Sequence, residues 1–276
     1  MISVDRPGFG VADIIATFSD TLNEARIVTS AADIEQAEAS FDVLANAESL
    51  HEFRQHNRAV AAELRAAVRW AYKNRLLRGS ARGYYNQLRE ASRHGLCPLC
   101  LVRDASELDH YLPKRKFPEL AIVPLNLVPI CDECNGTKLE YVGEHSDDQI
   151  LHGYYDDFAA RSWLTCTVEE SPGAPLLFSV APHSSWTPAQ AARVEFHFLK
   201  FGLNTLYANQ AAVELTGIRR YLKKLLRAGG SNEVSSYLEE MALSFSAEPA
   251  FIWKQVAYRG WSESRWFCEG GLATRA

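Results

Sequence analysis

The sequence lacks the features of a secreted or membrane-spanning protein. No stretch of its 276 residues approaches roughly 18 uninterrupted apolar residues, the length that argues for a membrane-spanning helix. Its beginning, MISVDRPGFG, contains neither the basic start nor the apolar run of a secretory signal. The sequence also contains no internal repeat and no low-complexity segment. We therefore expect a globular, cytoplasmic protein that makes no contact with a membrane.

Cysteine is scarce, and the spacing of the six cysteines predicts a metal site rather than disulfides. Cys97 with Cys100 and Cys131 with Cys134 form the pattern C-x2-C-x30-C-x2-C. A gap of two residues allows both sulfurs of a pair to reach one ion, and four thiolates leave no open position for a substrate. We therefore predict a structural Zn²⁺. The two isolated cysteines, predicted to be buried as small apolar side chains, are Cys166 and Cys268.

Two neighbouring segments have strong and opposite charge, although the overall net charge is only −5. Basic residues are nearly absent from the first segment, and acidic residues are nearly absent from the second. Residues 1–53 contain ten acidic and two basic residues, a net charge of −8. Residues 54–94 contain ten basic and two acidic residues, a net charge of +8. The basic segment could bind along a polyanion such as a nucleic acid, or its arginines could form ion pairs with the acidic segment. The acidic segment could instead dock a partner protein, or cover the basic segment until a partner removes it.

Helical patterns dominate both ends of the chain. Residues 11–94 read as helices. The stretch VADIIATFSDTLNEARI (11–27) places apolar residues at helical spacing throughout, and Ser30 is an expected N-cap of the next helix. Toward the other end, WLTCTVE and PLLFSVA predict two strands, and Thr187 followed by proline predicts a helix start. Further helices should follow to about residue 246.

The middle of the chain differs, because five prolines between residues 96 and 145 exclude a long helix and favour short strands. A hairpin inserted between the cysteine pairs would account for the 30 residues that separate them. We predict an α+β fold in three regions. These are a helical region with acidic then basic halves (1–94), a zinc-stapled core (95–145) and a mixed, mainly helical region (146–276).

The core carries a second set of polar residues within LDHYLPKRKFPELAIVPLNLVPICDECNGTK. Asp109 and His110 are adjacent, Asn126 lies in the middle, and Asn135 follows the second cysteine pair, with Lys138 three residues later. Taken singly, each has an ordinary interpretation, such as a turn residue, a surface histidine or a helix N-cap. Their joint occurrence between the cysteine pairs favours a functional site.

This stretch resembles the HNH endonucleases of the ββα-metal superfamily, in the branch whose last motif residue is asparagine. The resemblance implies that His110 is the general base and that Asp109 and Asn135 hold one divalent cation. It also implies that Asn126 fixes the loop or orients the imidazole. The chemistry agrees, because histidine titrates near neutral pH and Mg²⁺ or Mn²⁺ takes carboxylate and amide oxygens. The expected nucleic-acid contacts are Lys114, Arg115, Lys116 and Lys138.

The resemblance implies a hydrolase that cuts phosphodiester bonds, with DNA as the expected substrate and low intrinsic sequence specificity. It further implies a bacterial phage-defence or mobile-element context, in which a separate ATPase or sensor subunit could be a partner. The alternative is a non-catalytic, zinc-dependent module that binds nucleic acid or docks a partner.

Overall fold

A computed structural model describes residues 4–19, 21–53, 61–156 and 163–273 of the chain. These residues belong to two compact units, Met1–Asp157 and Phe158–Ala276. Three residues of the two charged segments, Asp20, Arg54 and Arg58, lie outside the described residues.

The first part of unit 1 is helical, as predicted. Its helices are α1 (Val11–Ile15), α2 (Leu22–Thr29), α3 (Ala31–Asn46), α4 (Ala62–Ala71) and α5 (Arg82–Glu90). The continuous pattern over residues 11–27 forms two helices rather than one, because the Thr21 side chain and Glu24 form a capping box that starts α2. Ser30 stands at the start of α3 but makes no side-chain cap hydrogen bond.

The acidic segment is part of the core of unit 1. Ile14, Ile34 and Phe41 are fully buried. The carboxylate of Glu24 is also buried and pairs with Arg75 of the basic segment at 2.5 Å. Removing residues 1–53 would therefore remove core side chains, so the segment is not a detachable cover for the basic residues.

A β-hairpin and a short helix follow in the same unit. Strands β1 (Glu107–His110) and β2 (Leu127–Ile130) are antiparallel and pair Asp109 with Val128. The helix α6 (Asp132–Lys138) begins directly after β2, and the Cys131 sulfur accepts a hydrogen bond from the Cys134 amide at its start. The inserted hairpin therefore lies between the two cysteine pairs, as expected.

Unit 2 contains a second hairpin and five α-helices among its described residues. They are β3 (Leu164–Val168), β4 (Leu176–Val180), α7 (Pro188–Lys200), α8 (Leu203–Gly229), α9 (Ser231–Ser246), α10 (Ile252–Glu263) and α11 (Arg265–Glu269). The two strands are antiparallel, and α8 and α10 pack on them. The Thr187 hydroxyl caps α7 through Gln190, which confirms the predicted helix start. Across the described residues, every helix is too short or too polar to cross a membrane.

The described residues form an α+β architecture that is mainly helical and contains two small antiparallel sheets. The predicted regions 1–94 and 95–145 both fall within unit 1. Unit 1 also extends beyond residue 145, because the next residues pack on its hairpin and helices. The Tyr154 hydroxyl donates to the Leu127 carbonyl at 2.7 Å, and the Gln149 amide donates to the Glu48 carbonyl at 2.6 Å.

Candidate functional site

The four paired cysteines form one buried cluster in unit 1. The sulfurs of Cys97, Cys100, Cys131 and Cys134 all lie within 4.8 Å of one another, and the distance from Cys100 to Cys131 is 4.0 Å. Tetrahedral zinc with bonds of about 2.3 Å would separate its sulfurs by about 3.8 Å. The donor set and its spacing therefore fit a zinc ion.

Two local structures bring these sulfurs together. The first pair lies on a tight turn, in which the Cys97 amide donates to the Arg103 carbonyl at 2.8 Å and Leu101 has a φ of 58°. The second pair lies at the start of α6, where the helix N-terminus favours thiolate. Arg103 and Glu133 form an ion pair at 3.3 Å that ties the turn to the helix.

Hydrogen bonds and burial shift the pKa values of these thiols in opposite directions. A hydrogen bond with Cys131 holds the pKa of Cys100 well below its usual range. Burial raises the pKa of Cys97 well above its usual range. Without a cation, four buried sulfurs cannot all carry charge, whereas a bound metal favours thiolate at every position.

His110 is buried at the end of β1. Its Nε2 lies 2.9 Å from the Ala121 carbonyl oxygen, and its ring packs edge-on against Tyr72 at a centroid distance of 4.5 Å. Because a carbonyl oxygen only accepts hydrogen bonds, Nε2 carries the proton and Nδ1 carries the lone pair of the neutral ring. Burial, followed by the nearby charge of Lys114, lowers the pKa of His110 to about 3, so the ring is neutral at pH 7.

Asn126 is fully buried and holds the loop that leads back from β1 to β2. Its Oδ1 accepts from the Leu112 amide at 2.7 Å, and its Nδ2 donates to the carbonyls of Leu112 and Leu120 at 3.0 and 3.2 Å. The next carbonyl along the chain belongs to Ala121 and binds His110. Asn126 therefore fixes the backbone that sets the orientation of the imidazole.

Polar side chains of β1 and α6 meet on one face of the hairpin. The Asn135 Nδ2 donates to the Glu107 Oε2 at 2.8 Å, and the Lys138 Nζ contacts the Asp109 Oδ2 at 2.6 Å. Lys138 is buried and also donates to the His110 carbonyl at 2.8 Å. This face thus combines two carboxylates, one amide oxygen and one ammonium group.

Strand β1 contains no bulge that would turn Asp109 and His110 to the same face. The register runs without interruption, and burial alternates along the strand, so the two side chains leave it on opposite faces. Lys114 lies within electrostatic reach of both groups: its charge lowers the pKa of His110, and Asp109 in turn opposes the lowering of the Lys114 pKa by burial. The imidazole and the carboxylate therefore lie near a common ammonium group at the strand end.

The predicted nucleic-acid contacts have different surroundings. Lys114 is half-buried with its ammonium 4.7 Å from the Tyr72 ring centroid. Arg115 and Lys116 are exposed, and both bind Glu140, through its carboxylate and its carbonyl respectively. Lys138 is buried, and its ammonium group already has a partner in Asp109. Its contact with a phosphate stays a prediction.

The sequence interpretation missed Glu107 and Tyr72. Glu107 lies two residues before Asp109 on β1, and strand alternation alone would have assigned both carboxylates to one face. Tyr72 lies in a single π-helical turn, Tyr72–Leu76, that extends α4, and no local pattern indicates its contact with His110.

Replacing Asn126 with alanine is expected to destabilise unit 1 by about 3 kcal/mol or more, because three buried backbone groups would lose their partners. Denaturant unfolding at fixed zinc concentration would measure the loss. The control is Asn86→Ala, because Asn86 is only half-buried on α5 and accepts one bond from Arg82. An equal effect of the two substitutions would contradict the role of Asn126 as a loop clamp.

Comparison with known proteins identifies a relative but no described activity. The chain is 27% identical over 205 residues to Protein ea31 of Escherichia phage lambda, and the matched segment covers 69% of each chain. No family model matches the chain, and no solved structure matches it. The relative's name states no reaction, so function has to be inferred from the site.

Proposed function

We propose that the chain is a metal-dependent HNH endonuclease with a ββα-metal core that hydrolyses phosphodiester bonds in DNA with low intrinsic sequence specificity. The proposal is carried by the arrangement around β1 and α6. Three oxygen-bearing side chains occupy one face of the hairpin, and a neutral, oriented imidazole lies at the end of the same strand.

The oxygen-bearing side chains would hold Mg²⁺ or Mn²⁺. Asp109 and Asn135 are the proposed ligands, and Glu107 would orient Asn135 or join it. Lys138 engages Oδ2 of Asp109, so the other carboxylate oxygen is the one available to a cation. The cation, when bound, supplies positive charge to stabilise the charge that develops on the phosphate oxygens.

His110 would act as the general base. Its protonated Nε2 is held by Ala121, so Nδ1 is the atom that takes a proton from water. The water oxygen then bonds to phosphorus while the bond from phosphorus to the leaving oxygen breaks. The half-buried ammonium of Lys114 would attract the phosphate to this position, and the exposed Arg115 and Lys116 would contact the nucleic-acid backbone.

The cysteine cluster would hold Zn²⁺ for structure and leave the chemistry to the second metal. It joins the turn before β1 to the start of α6, and therefore fixes the two elements that carry Asp109 and Asn135. The relative from a bacteriophage is compatible with a mobile-element context, and a protein partner such as an ATPase or sensor subunit remains part of the proposal.

The test is cleavage of supercoiled plasmid by the full chain with zinc retained, in buffer with Mg²⁺, with Mn²⁺ or with no added divalent metal. Wild type is expected to cut only with added divalent metal. Glu107→Gln keeps the side-chain shape and removes a charge beside Asn135, so it is expected to raise the half-saturating metal concentration by about 10- to 100-fold.

The matched control is Asp132→Asn, because Asp132 is exposed on the same helix α6 and should leave metal dependence unchanged. Equal metal dependence of both variants would contradict the role of Glu107. Failure of wild type to cut plasmid, linear duplex or single strands with either metal would contradict the nuclease proposal. Binding of DNA without cutting would favour the alternative, a non-catalytic binding module.

A further inference from the structure

Unit 2 has a concentrated positive surface on the second half of α8. Between Leu215 and Asn232 the sequence contains five basic residues and no acidic residue. One of the five, Arg219, donates to the Leu272 carbonyl at 2.7 Å and so has a structural role. The other four, which we call the α8 basic stripe, are Arg220, Lys223, Lys224 and Arg227.

The stripe occupies one side of the helix. At 3.6 residues per turn its four members fall within an arc of about 100° and extend over about 11 Å. The buried residues nearest to the stripe, Leu215 and Leu222, lie on the opposite side of the helix. Arg220, Lys224 and Arg227 are exposed, Lys223 is half-buried, and none of the four forms an ion pair with any residue that the structure describes.

Ordinary explanations of a basic helix end do not account for the stripe. A cation stabilises the helix dipole only within the last turn, which includes Arg227 but not Arg220 or Lys224. An amphipathic membrane-binding helix needs an exposed apolar face, whereas the apolar face of α8 is packed against β4 and α9. A row of unpaired cations fits a partner that offers a row of anions.

We propose that the α8 basic stripe binds the phosphate backbone of double-stranded DNA. Duplex DNA carries one negative charge per about 1.7 Å of its axis, so several phosphates lie within the length of the stripe. Contacts of this kind supply affinity without sequence information. The proposal is independent of the nuclease proposal, because it concerns a binding surface in the unit that carries none of the proposed catalytic residues.

The test compares two triple variants of the full chain with zinc retained, in buffer free of Mg²⁺ and Mn²⁺. R220Q/K224Q/R227Q neutralises the exposed members of the stripe. The matched control, K200Q/R259Q/R265Q, removes the same charge from other helices of unit 2. Fluorescence anisotropy with a duplex of about 20 base pairs, between about 50 and 200 mM salt, gives the affinity and its salt dependence.

The stripe variant is expected to bind duplex about tenfold or more weakly than the control and to lower the slope of log affinity against log salt by about 3. The affinity of the stripe variant should fall by the same factor for duplexes of unrelated sequence. R220K/R227K, which keeps the charge, should retain the wild-type slope and shows whether the loss is due to charge.

Three results would overturn the proposal. The first is absence of duplex binding by wild type, and the second is equal affinity and slope for the stripe and control variants. The third is tighter binding of wild type to phosphatidylserine vesicles or to poly-glutamate than to duplex, with loss of that binding in the stripe variant. Circular dichroism of every variant would confirm that the comparison is between folded proteins.

Discussion

Cys100→Ser is expected to abolish zinc binding and to unfold unit 1. Zinc binding to such cysteine sites contributes about 10–16 kcal/mol, whereas the total stability of a protein is about 5–15 kcal/mol. Cys100 is fully buried, and its sulfur lies 4.0 Å from that of Cys131 on the other side of the cluster. A serine hydroxyl at this position is a poor zinc ligand and would be left in a buried site.

Zinc content by mass spectrometry, far-ultraviolet circular dichroism and limited proteolysis would check this result. Chelation of zinc from wild type by EDTA should reproduce the loss of structure, and added zinc should restore it only in wild type. Cys166→Ser is the control, because Cys166 lies on β3 in unit 2 and outside the cluster. A zinc-free Cys100→Ser protein with wild-type protease resistance would contradict the structural role.

The cysteine cluster could be predicted because its signal is local. Two cysteine pairs with gaps of two residues need only short-range geometry, a turn at Cys97 and a helix start at Cys131, to present their sulfurs. The Thr187 cap of α7 is predictable for the same reason. The break between α1 and α2 was missed because the helical pattern continues through Thr21, and only the capping box shows where the second helix begins.

The surroundings of the imidazole could not be predicted, because they depend on contacts between residues far apart in sequence. The carbonyl that holds His110 belongs to Ala121, eleven residues away, and its position depends on the Asn126 clamp. The Tyr72 ring comes from a helix 38 residues earlier in the chain. The sequence likewise indicated pairing between the basic and the acidic segment as one alternative. It did not indicate that Arg75 forms an ion pair with the buried Glu24.

The two proposed metal sites, the cysteine cluster and the oxygen-bearing face of the hairpin, share residues of helix α6. The cysteine cluster lies at the start of α6, and one turn later the same helix presents Asn135 to Glu107 and Lys138 to Asp109. Because α6 is only seven residues long, it would not be stable alone in water. Loss of zinc should therefore disorganise the oxygen-bearing face as well.

His110→Ala is expected to lower the rate of plasmid cleavage by about 10²- to 10⁴-fold, the usual contribution of a positioned general base. Alanine would also leave a cavity beside Tyr72 and the Ala121 carbonyl without its donor, so loss of activity could arise from local disorder. His110→Gln separates the two causes, since its amide can still donate to Ala121 while it has no basic nitrogen.

Cleavage rates at saturating Mg²⁺ and thermal unfolding of each variant would be measured together, with the exposed His145→Ala as the control. If His110 is the base, both substitutions at His110 lose activity, and the glutamine variant keeps more stability than the alanine variant. If the glutamine variant cuts at the wild-type rate, the imidazole only supports the loop. The base would then have to be sought among the groups around Lys114 and Asp109.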